Sequence, residues 1–220
     1  MDKLPDDPTL DEIRAWLGGR LAIHAAFDGW KPEAIDSAAA EAGVDAGIAR
    51  LAFPGGAIDM IDAWFGHVDR VMQEKLPVEK LATMKIRDRI RALVTARLEA
   101  VAGEREALRR ALAILAMPAN MAAAARFGWR TADLMWRQAG DTAADFNHYT
   151  KRMTLSALYA STILVFIDDE SADFADTRAF LERRIQNVMD FEKAKAGLLA
   201  RREHMPSLSR FIGRLRYPAV

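Results

Sequence analysis

The spacing of the apolar residues constrains this chain more than any other feature. From Thr9 onward they recur at three- and four-residue intervals, and no stretch alternates with period two. That pattern excludes a sheet and predicts an all-α bundle. Thr9-Leu10-Asp11-Glu12 has the spacing of a capping box, so a helix opens there with Ile13, Leu17 and Leu21 on one stripe and Trp16, Ile23 and Phe27 beside it. Gly29 ends that helix, and Pro32 opens the next where its missing N–H costs nothing. A short Ala-rich helix stops at Gly43. Asp45 caps a second short helix, in which Ile48 is expected to plug the core, and Phe53–Gly56 is a turn. A longer helix from Ala57 is expected to bury Ile58, Ile61, Phe65, Val68 and Met72. Further helices are predicted near residues 85–102, 104–117, 119–139, 146–167 and 174–199. The domain boundaries read from this pattern are an N-terminal helix-turn-helix-like part at 1–66, a helical domain at 67–199 and a basic tail at 200–220.

Composition removes several function classes. The 220 residues include no cysteine, so a disulfide framework, a thiolate metal site and a cysteine nucleophile are all excluded. The start, MDKLPDDPTL, is acidic and reads as neither a secretory signal nor a transit peptide. The longest apolar run, LSALYASTILVFI, is too short to span a bilayer. The expectation is a cytoplasmic chain. His24, His67, His148 and His204 are scattered, none in the E-x-x-H spacing of bundle di-iron sites. No H-E-x-x-H, G-x-S-x-G or phosphate-loop pattern occurs. No catalytic residue, metal or cofactor is expected, and the chain reads as a binding protein rather than an enzyme.

The segment AAAEAGVDAGIARLAFPGG has helix-turn-helix spacing and resembles the DNA-binding end of the TetR regulators. Its chemistry differs from theirs. The second helix, AGIARLA, carries Arg50 as its only charge, and Gly55 and Gly56 stand where a lysine is usual in that family. From Lys31 to Gly56, Lys31 and Arg50 face Glu33, Asp36, Glu41 and Asp45, a poor composition for neutralising phosphates or reading bases. The formal net charge of zero agrees. No nucleic acid is expected as a partner. The alternative reading is a TetR-type ligand-responsive transcriptional regulator.

The stretch MWRQAGDTAADFNHYTKRM, Met135 to Met153, departs from the Ala/Leu/Arg/Glu background. Gly140 closes one helix, and Asp141 or Thr142 caps the next, with Asp145 near its positive end. Phe146, Tyr149 and Met153 share one side of that helix, while His148 and Arg152 share another next to Asp145. Part of the corner can face inward, whereas Asn147, His148 and Arg152 need not. Its aromatic and amide content is that of an interface hot spot.

These motifs carry a resemblance. Asp133–Asp141 (DLMWRQAGD), Asp145–Arg152 (DFNHYTKR), Asp173–Arg183 (DFADTRAFLER) and Phe27–Trp30 (FDGW) resemble the ubiquinone biosynthesis accessory family, the ninth of the numbered coenzyme Q proteins, over residues 27–189. The resemblance implies a TetR-like helical bundle, a homodimer, and a non-catalytic lipid-binding helper. Such a helper presents isoprenoid quinone intermediates to a ring hydroxylase, di-iron or flavin-dependent. The docking patch carried over by motif is Asp133, Trp136, Asp145, Asn147, His148, Tyr149 and Arg152. Animal members have Trp where this chain has His148.

An isoprenoid tail held in water needs an apolar tunnel, for which flexible methionines are suited. The candidate lining is Trp64, Met117, Met121, Trp129, Met135, Met153 and Leu155. In the tail, Leu208, Phe211, Ile212 and Leu215 fall at helical spacing with Arg210 and Arg214 opposite, a basic amphipathic helix of membrane-surface type. With the resemblance, this predicts peripheral contact with the inner face of the cytoplasmic membrane.

Overall fold

The computed structural model describes residues 4–144 and 146–203, the side chains of 195–203 excepted. Every regular element among them is helical. α1 (Leu10–Asp28) opens with the expected reciprocal cap: the Glu12 N–H donates to Thr9 Oγ1 at 3.3 Å, and the Thr9 N–H donates to Glu12 at 2.8 Å. Its buried stripe is Ile13, Leu17 and Leu21, while Ile23 and Phe27 are exposed. Gly18 lets another helix approach closely. A Cβ there would lie 2.6 Å from the Ala63 carbonyl oxygen.

α2 (Pro32–Ala42) and α3 (Ala46–Leu51) form the helix-turn-helix corner. Gly43 makes the turn at φ +68°, and Asp45 caps α3 by accepting the Ile48 N–H. The core of this corner is Ala34, Ile35, Ala38, Ala39, Ala49 and Phe53. Ile48 does not plug it as expected. It is 47% exposed, because the close alanine packing leaves no room for a branched side chain and Ala49 points inward instead.

α4 (Ala57–Lys75) packs against α1 and is the central helix, burying Met60, Ile61, Trp64, Val68 and Met72. Ile58 and Phe65, expected in the core, are only half-buried. After α5 (Val78–Ala82) come α6 (Ile86–Ala100), α7 (Arg105–Leu115), α8 (Met121–Gln138), α9 (Phe146–Phe166) and α10 (Ala175–Glu203). α4 also packs on α6 and α8, and α8 lies along α9. Compactness divides the chain after Leu181, within α10. The boundary drawn at 66 falls inside α4. No single helix among the described residues is long and apolar enough to cross a membrane. The tail residues Leu208, Arg210, Phe211, Ile212, Arg214 and Leu215 lie outside the described residues, as does Asp145.

Candidate functional site

The turn between α8 and α9 is held from three sides. Gly140 takes φ +88°, and Arg89 of α6 donates to the Ala139 carbonyl at 2.7 Å, satisfying a carbonyl at the C-terminus of α8. Arg152 of α9 is 1% exposed and spans the gap. Its Nε donates to Asp133 of α8 at 2.6 Å, and its Nη1 donates to Asp141 at 3.0 Å and to the His148 carbonyl at 3.1 Å. Lys151 reaches Asp141 at 2.6 Å. Burial would raise Asp141, but the hydrogen bonds from Lys151 and Arg152 outweigh it and hold the carboxyl below its usual range. Trp136 donates its indole N–H to the Lys151 carbonyl at 3.0 Å, with the Lys151 ammonium 5.3 Å from its ring centroid.

Outside this clamp lies an aromatic surface. Trp129 sits 6.2 Å from His148 and 5.9 Å from Tyr149, and those two rings are 5.2 Å apart. Phe146 is 77% exposed, Tyr149 57% and Met153 64%. Phe146, Tyr149 and Met153 at the start of α9 therefore face solvent, while Arg152, which the local spacing left free to point outward, faces inward. Asp133 and Trp136 are half-buried, His148 is half-buried with Nδ1 2.9 Å from the Ala143 carbonyl oxygen, and Asn147 is exposed.

Beside the corner, α4, α6, α7, α8 and α9 enclose a cavity of about 340 Å³. Phe65, Val68, Leu108, Leu115, Phe127 and Ile163 supply apolar wall. Ala116, Ala160 and Leu164 also line it and are exposed, so they form its mouth, whereas Val68, Arg97, Phe127 and Thr131 are buried. Arg97 is ion-paired with Asp69, and its Nε has no partner among the described residues. Its guanidinium carbon lies 5.5 Å from both the Phe65 and Tyr159 ring centroids. Burial pushes Asp69 above the usual carboxylate range against the pull of Arg97 and Arg130, and it pushes the Tyr159 hydroxyl up as well.

None of the seven residues read as tunnel lining is among those that line this cavity. Trp64 is core, its indole donating to Glu104 at 2.7 Å, and burial holds the Glu104 carboxyl above its usual range against that bond. Met135 and Leu155 are buried core too. Met117, Met121 and Met153 are exposed, and Trp129 belongs to the aromatic corner. Sequence reasoning missed Arg97 and Tyr159. Arg97 had a signal: it follows Ile90, Leu93 and Val94 and precedes Val101 in one apolar register, where a charge is out of place. Trp129 could have been assigned to the corner because it lies two turns before Trp136 on the same face. Among the described residues no three His, Asp or Glu converge as metal ligands.

Residues 121–192, which span this corner, match the COQ9 family model. The human ubiquinone biosynthesis protein COQ9, mitochondrial, is 33% identical over 168 residues, 74% of this chain and 53% of that protein. The Drosophila melanogaster protein of the same name is 27% identical over 187 residues, 83% of this chain and 57% of that protein. The chain spans about half the length of the curated relatives it matches. A TetR transcriptional regulator from Nitrosomonas europaea superposes with a TM-score of 0.61 at 24% identity, covering 82% of this chain and 97% of that one. The last likeness establishes the TetR-like all-α fold alone.

Proposed function

We propose, for a chain whose residues 121–192 match the COQ9 family model, a non-catalytic role in ubiquinone biosynthesis: it binds an isoprenoid quinone intermediate and presents it to a ring hydroxylase at a membrane. The observation that carries this reading is the apolar cavity with its exposed mouth, whose volume of about 340 Å³ lies in the range of small-molecule pockets. Apolar area removed from water at roughly 25 cal/mol per Å² would supply the affinity. The exposed aromatics of the α8–α9 corner are the surface offered to the hydroxylase, di-iron or flavin-dependent. The protein works as a homodimer, without cofactor, at the inner face of the cytoplasmic membrane. The relatives' names place them in mitochondria.

The rival, a TetR-type ligand-responsive transcriptional regulator, has the fold in its favour. It needs a recognition helix with free cations, and Arg50 of α3 is engaged with Asp36, its Nε donating at 2.8 Å.

The test is the quinone profile of a source strain lacking the gene, complemented with wild type or with Gly128→Leu. Gly128 borders the cavity, and a Cβ there meets nothing within 4 Å, so a side chain can start from this position without displacing a neighbour, and leucine is a good helix former for α8. The expected result is loss of ubiquinone with an unhydroxylated precursor accumulating, restored by wild type and not by Gly128→Leu. An unchanged profile in the deletion strain rejects the reading.

A further inference from the structure

The cavity is apolar except at one place, and that place is costly as it stands. Arg97 is 2% exposed and its Nε–H meets no acceptor among the described residues. A buried donor left unmade is expensive, more so on a charged group. The other polar side chains of the lining are Tyr159, whose ring centroid lies 5.5 Å from the Arg97 guanidinium carbon, and Thr131 and Ser156. Ser156 is already used, donating to the Gly128 carbonyl at 3.1 Å. The exposed lining residues are Ala116, Ala160 and Leu164, with no polar atom on their side chains.

We propose that the Arg97–Tyr159 end reads the oxygens of the ligand's ring, so that the ring sits innermost and the hydrocarbon tail leaves through Ala116, Ala160 and Leu164. The inference rests on the lipid-carrying reading above and adds the ligand's orientation and head-group class. The reverse orientation would place ring oxygens among alanine and leucine and hydrocarbon against a guanidinium. Asp69 already neutralises Arg97. The pair therefore accepts a neutral carbonyl or hydroxyl oxygen and disfavours a carboxylate, which would meet no net positive charge from it.

The experiment is displacement of Nile red from the full chain by three probes: decylubiquinone, decylbenzene (a similar tail on a ring without oxygens) and dodecanoic acid. Decylubiquinone is expected to bind at least about ten-fold more tightly than either of the others. Tyr159→Phe should weaken decylubiquinone about five-fold, roughly one hydrogen bond, and leave decylbenzene within about two-fold. Arg97→Met with Asp69→Leu, which removes the pair as a unit, should erase the preference in a protein whose circular dichroism is unchanged. Equal binding of decylubiquinone and decylbenzene to wild type overturns the proposal, as does a Tyr159→Phe effect that lowers both alike. A preference for dodecanoic acid overturns the head-group class. Equal binding leaves lipid carriage intact. Binding of no probe by wild type removes carriage itself, so the two failures are distinct.

Discussion

Arg152 and Arg97 are the two large cations of the core, each at most 2% exposed, and they are used in opposite ways. Arg152 meets Asp133, Asp141 and the His148 carbonyl, and the Asp141 carboxyl is held below its usual range. Arg97 has one carboxylate, keeps a spare donor, and sits beside an Asp69 that burial pushes up. A buried charge whose hydrogen bonds are consumed within the protein is a strut. One that keeps a spare donor at the wall of an apolar cavity has a hydrogen bond left to give to whatever enters it.

The contrast can be broken most directly at Arg152. Arg152→Ala leaves the half-buried Asp133 and Asp141 with fewer partners and removes a link between α8 and α9. It should cost about 3–5 kcal/mol in urea denaturation. A loss below about 1 kcal/mol would mean that Arg152 is no strut. Asp141→Asn sharpens the point through pH. Because the folded-state value of Asp141 is lowered, its ionised form stabilises the protein above the unfolded value of about 4, and that contribution is lost as pH falls through the lowered folded value. The variant should be about 2 kcal/mol less stable near neutrality, with the gap to wild type closing below about pH 4. A gap constant with pH would assign the loss to packing. Trp136→Phe keeps the ring and deletes the donor to the Lys151 carbonyl, and should cost about 1 kcal/mol by thermal denaturation.

The same two arginines mark what the sequence could and could not show. The helices, the Thr9 cap and the Gly43 turn were legible because each depends on neighbours a few residues away. Arg152 was misread because only the two turns around it were considered. Extended along α9, its register continues through Leu155, Thr162 and Phe166, all buried, and puts the guanidinium inside. The cavity was illegible for a different reason. Its lining comes from five helices, and its volume depends on how they cross, which no single stretch encodes. Methionine composition pointed to Met117, Met121 and Met153, which the bundle leaves exposed. Ile48 failed in the same way, since the alanines opposite set the space and not its own hydrophobicity.

The smallest expected effect on stability is three residues from the largest. Tyr149 shares α9 with Arg152 but points outward with Phe146, so Phe146→Ser with Tyr149→Ser should change unfolding free energy by no more than about 0.5 kcal/mol per site. The same pair of changes should abolish capture of the proposed hydroxylase partner on a resin carrying this protein, because exposed aromatics with little structural duty are what a partner can bury. Trp136 cannot make this separation, since its indole is half-buried and bonded across the turn, and its loss would weaken fold and docking together. Retained capture by the Phe146/Tyr149 variant, with stability unchanged, would remove the aromatic corner from the docking surface. A large loss of stability would instead mean that these rings are covered in the working assembly, which makes them part of a contact between two copies of this chain.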